Sequence, residues 1–228
     1  MKTKRITGYA ETPRDFRHIM TQLEYGYAAL SAFFPTADVG TVEVLFMPGV
    51  DVEDTFGEQR GPLMFPFVPG TGQIGRRNLI VLGKAIDHFT STYVLSHLFV
   101  YQLVPNAPLW LQQSLAGYFG GAVVQAGKDR WRVCFGIPKP LNARIWQMPL
   151  DRFFTNTWQD YSHDDPSFFE GTAFLLMDYI FHGDDNIHRN KLPGIFAAAA
   201  RGTPGPEIMR EAFPTMNLKQ LGQRLSDF

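Results

Sequence analysis

Apolar positions recur along the chain with two different periods, and the change from one to the other divides it. Ile6 to Ala10 (ITGYA) reads as a short strand. Thr12-Pro13 opens a helix: proline suits the first helical position, and Asp15 follows three residues after Thr12. Phe16, Ile19, Met20, Leu23, Tyr27, Leu30 and Phe34 then fall at helical spacing, which predicts one inward face ending before Pro35. Thr41 to Met47 is β-rich and is closed by Pro48-Gly49. Residues 51–75 carry five Gly and three Pro and read as loop. Asn78 to Leu82 (NLIVL), bounded by Arg76-Arg77 and Gly83, has the continuous apolar run of a buried strand. The first 83 residues therefore predict strand, helix, strand, loop or hairpin, strand.

From residue 85 the period turns helical. A helix is expected from about Thr90 to Leu103, with Val94, Leu95, Leu98 and Phe99 as its apolar positions. Pro105 and Pro108 punctuate, and a second helix runs from Leu109 to Phe119, ended by Gly120-Gly121. Trp131 to Phe135 reads as a short strand. A helix from Pro166 or Ser167 to Phe181 is stopped by Gly183, and shorter ones follow over Pro193–Arg201, Pro206–Phe213 and Leu218–Leu225. The expected architecture is α+β: one domain over 1–228, with a mixed α/β sheet lobe over 1–84 and a mostly helical lobe over 85–228.

Composition narrows the class. With 45% hydrophobic and 14% aromatic residues in 228, the chain can bury a large core and is not disordered. A net charge of −1 gives nucleic acid or an anionic membrane nothing to hold. Cys134 is the single cysteine, which excludes an internal disulfide framework and a cysteine-rich zinc module. No run of about 18 apolar residues is present, so no membrane-spanning helix is expected. The basic start, Met1 to Arg5, leads into no apolar stretch, so the chain reads as soluble, either cytosolic or exported without its signal.

Several segments have the form of a chemical motif. Gly70-Thr-Gly72-Gln-Ile-Gly75 fits a dinucleotide-binding pattern, but that motif needs a strand before it and a helix after it. Here a strand follows, so the glycines read as a turn. Lys128, Arg130 and Arg132 around Trp131 are interrupted by Asp129 and fit an edge strand with one charged face. Ser114 and Cys134 have no base in a recognisable motif and read as structural. His88, His163, His182 and His188, with Asp164-Asp165 and Asp184-Asp185, lie in turn-like sequence and read as solvated.

Two stretches carry a stronger pattern: Thr92-Tyr-Val-Leu-Ser-His97-Leu98-Phe-Val-Tyr101, and Pro108-Leu-Trp110-Leu-Gln-Gln113-Ser-Leu-Ala-Gly117-Tyr118-Phe119. Together they resemble the active-site helices of the gluzincin metallopeptidases, and more closely the bacterial peptidase-MA-like group. There the first helix reads roughly V-L-x-H-E-x-x-H, and P-x-W-L-x-E-G-L-A-E-Y-F follows. Val44-Leu-Phe46, Phe67-Val-Pro-Gly70, Arg77 to Leu82, Met148 to Phe153 and Ala173 to Gly183 also resemble family segments in family order. In such peptidases two His four apart on a helix and a Glu from the next helix bind zinc, and the Glu of the first motif activates a water.

The resemblance implies a gluzincin-like fold, but the motif is degenerate. His97 matches the first metal ligand; Leu98 stands for the general base, Tyr101 for the second His, and Gln113 for the third ligand. Gly117 replaces a further Glu, and there is no Glu from 59 through 169. Leucine cannot accept a proton, and zinc favours imidazole, thiolate and carboxylate over phenol and amide. The expectation is an inactive metallopeptidase homologue without zinc or other cofactor, and with no catalytic residue among these vestigial positions. It would bind a peptide or protein partner through His97, Tyr101, Gln113, Tyr118 and Glu170. Tyr101, one helical turn along, and Gln113 are the expected polar partners of His97. The rival expectation is a hydrolase or other enzyme remodelled around His97, Tyr101, Gln113 and Glu170.

Overall fold

The computed structural model describes residues 4–10, 13–47, 63–65, 78–82, 88–105, 107–120, 123–126, 131–134, 147–163 and 166–228. The architecture is α+β, as expected, and the chain divides into two compact units. One holds Met1–Gln102 with Phe119–Phe135, the other Leu103–Tyr118 with Gly136–Phe228. The helix beginning at His88, grouped in sequence with the helical lobe, is counted almost whole with the sheet. No helix among the described residues is long and apolar enough to cross a membrane.

In the first unit β1 (Ile6–Ala10), β2 (Val42–Phe46), β3 (Leu63–Phe65) and β4 (Asn78–Leu82) form one sheet in the order β1-β2-β4-β3. The first three in that order are parallel, with Ile6 opposite Val42 and Val42 opposite Asn78. β3 runs antiparallel to β4, with Leu63 opposite Val81. Residues 51–75 are thus not all loop, since three of them complete the sheet edge. A strand that short leaves almost no alternation in the sequence to detect. Val42, Val44 and Phe46 are buried while Glu43 and Leu45 are half-buried, so one sheet face is the inner one.

Helix α1 (Pro13–Phe33) places Phe16, Met20, Leu23, Tyr27 and Leu30 in the core, as its spacing predicts. Phe16 stacks on Phe46 with ring centroids 5.3 Å apart. Gly8 permits this approach: a Cβ there would sit 2.1 Å from the Phe16 ring and 2.6 Å from the Met20 sulfur. Helix α2 (His88–Leu103) packs on α1 where Gly26 leaves a Cβ-sized gap, 3.2 Å from Thr92 Cγ2. Tyr27 meets Phe99 edge-on at 5.2 Å, and Phe33 and Phe34 both pack against Phe119. The expected strand near Trp131 is β6 (Trp131–Cys134); its antiparallel partner β5 (Val123–Ala126) was not foreseen, because Gly120-Gly121 reads only as a helix stop.

The second unit is helical. It takes most of α3 (Leu109–Gly120) and all of α4 (Leu150–Thr155), α5 (Trp158–His163), α6 (Pro166–His182), α7 (Leu192–Ala200), α8 (Gly205–Ala212) and α9 (Leu218–Asp227). The single-turn pieces α4 and α5 escape a reading by period, since six residues hold less than two helical repeats. Trp110 meets Phe154 edge-on at 5.1 Å, and Phe153 packs on Phe169 at 4.7 Å. Helix α9 is capped by Asn217 and Gln220, each side chain bonding the other's backbone at 2.9 Å. Gly183 ends α6 by a close approach, not by a left-handed turn: a Cβ there would lie 2.4 Å from the Tyr179 ring. The left-handed conformation falls one residue later, at Asp184 with φ 45°.

Two glycines give opposite expectations. Gly8→Ala overpacks a site walled by a stacked aromatic ring, and it should cost about 1–3 kcal/mol in a denaturant melt. Gly117→Ala, in a helix with nothing within 4 Å of the new Cβ, should stabilise by about 0.5–1 kcal/mol. Equal effects from the two would contradict this packing.

Candidate functional site

The site expected from the sequence begins on α2, whose sixteen residues, HFTSTYVLSHLFVYQL, include no Asp, Glu, Lys or Arg. Such a helix forms only where protein surrounds it, and Thr92, Val94, Leu95, Ser96, Leu98, Phe99 and Val100 are all buried. Its buried hydroxyls are satisfied by backbone: Ser96 donates to the Thr92 carbonyl at 2.7 Å, and Thr92 to the carbonyl of Gly120. Tyr93, His97 and Tyr101 are half-buried.

His97 makes no hydrogen bond among the described residues, and its contact is not the expected one. Its ring stands edge-on to Tyr93 at 4.7 Å, one turn before it, not bonded to Tyr101 one turn after. Side chains on a helix lean toward its N-terminus, so a residue covers the turn that precedes it. Desolvation by burial lowers the His97 pKa to about 4, so the imidazole is neutral at pH 7. Leu98 has no exposed surface at all.

His97 and Tyr101 belong to the first unit; Gln113, Tyr118 and Glu170 belong to the second. Gln113 is buried. Ser114, beside it, is wholly buried, and its hydroxyl has no hydrogen-bond partner among the described residues. Glu170 is half-buried and accepts the Tyr161 hydroxyl at 2.8 Å.

Tyr118 stacks on Phe181 at 4.4 Å, and its hydroxyl lies 2.7 Å from His182 Nε2. Burial first, then the Asp178 carboxylate, push this phenol far above its ordinary pKa, with Arg189 opposing. It therefore stays protonated. The Asp178 carboxylate is 3.9 Å from the same nitrogen.

His188, expected to be solvated beside Asp184-Asp185, is instead buried in a polar cluster. Asp184 Oδ2 accepts from Tyr179 at 2.8 Å and lies 3.0 Å from Nε2 of the buried His188. The bonds from His188 and Tyr179 hold the Asp184 carboxyl below its ordinary pKa, and burial, then the bond to Asp184 and its charge, push Tyr179 up to about 12. The sequence offered His188 and Asp184 only as turn-like positions, which does not announce that Tyr179 and His188 both bond to one carboxylate. Among the described residues, no three His, Cys, Asp or Glu side chains gather as metal ligands. Gly70, Gly72, Gly75, Lys128, Arg130, Asp164 and Asp165 lie outside the described residues, as do the side chains of His88, His163, Arg132, Cys134 and Asp185.

No protein-family model matches the chain, and no curated protein does.

His97 sets a pH dependence. Its folded pKa lies below the unfolded value, so the unfolded chain binds the proton first. The stability it contributes is whole above about pH 6.5 and is lost as the pH falls through about 4, by at most about 3 kcal/mol. His97→Gln should flatten that part of the stability-against-pH curve. In proton NMR the wild-type ring should hold its neutral shifts down to about pH 5. A midpoint at the ordinary histidine value would contradict its burial.

Proposed function

We propose that the protein is a catalytically inactive relative of the gluzincin metallopeptidases that lacks the zinc site and acts by binding a peptide or protein segment. Leu98 carries this reading. The position that requires a proton acceptor holds an aliphatic side chain with no exposed surface, next to an imidazole that burial keeps neutral. Tyr101 and Gln113 bring no charge to neutralise a divalent ion, and Glu170 already accepts a hydrogen bond from Tyr161. Hydrolysis in the manner of the family needs both a metal and a base, and binding needs neither.

The test rebuilds what the resemblance says has been lost. Leu98→Glu, Tyr101→His and Gln113→Glu together restore two His four apart, a base, and a carboxylate on the following helix. Burying new charge should lower the melting temperature of the metal-free variant. Added zinc should raise it again by several degrees while leaving the wild type unmoved. A folded triple variant that takes up no zinc would remove the gluzincin reading. A wild type that zinc stabilises would remove the inactive one.

A further inference from the structure

We draw no further inference here: the strongest candidate, the open cleft where α4, α6 and α9 meet, lined by Met148, Leu150, Leu175 and Leu225 with Gln147 and Thr172, has its polar side chains already hydrogen-bonded within the chain, Ser226 to Gln147 and Thr172 to the Phe168 carbonyl, and nothing in the structure shows what covers it.

Discussion

A sixteen-residue helix with no charged side chain cannot be left in water, and the first unit is arranged around burying α2. Gly26 lets α1 close on one side of it, and Gly120 lets the chain after α3 approach Tyr93, where a Cβ would lie 2.8 Å away. Thr92 donates its hydroxyl to the Gly120 carbonyl, tying the helix to that approach. The chemical character of the residues around His97 follows from this enclosure. Protein around His97 removes the water that would stabilise an imidazolium, so the ring is neutral. Leu98 turns wholly inward, where a carboxylate would be unpaired and costly. Charge is absent from α2 for the same reason that a base is absent beside His97.

The second unit solves a different problem, which is to bury tyrosines without stranding their hydroxyls. Each of three pairs does so within a short sequence distance or across two helices: Tyr118 with His182, Tyr161 with Glu170, and Tyr179 with Asp184. The Asp184 pair has an additional cost, because the residue holds a left-handed backbone conformation at φ 45°. Its carboxylate is repaid by two donors, Tyr179 and His188. Glu170 and His182, which look like free acid–base groups in the sequence, are thus members of tyrosine pairs.

Period and punctuation carried most of the fold. α1, α2, α3, α6 and the strands at Ile6, Val42 and Asn78 were legible because each holds several repeats of its period and is bounded by Pro or Gly. What escaped was short. β3, β5, α4 and α5 have three to six residues each, too few to establish a period, and they owe their form to neighbours distant in sequence. In the candidate site, residue identity was legible and pairing was not. That positions 98, 101 and 113 hold Leu, Tyr and Gln, with no carboxylate or second imidazole, could be read directly. That His97 would lean on Tyr93 and not on Tyr101 follows from the tilt of helical side chains, which spacing alone does not express. The partners of Glu170 and His182 depended on tertiary contacts that no local pattern records.

The binding function proposed above requires a chain that holds no zinc. Elemental analysis of the full chain, purified in buffers free of chelator and of added metal, measures that directly. With Leu98 sealed in the core and Tyr101 and Gln113 in place of ligands, zinc should be present far below one equivalent per chain. Stoichiometric zinc that survives dialysis would contradict the account at its centre.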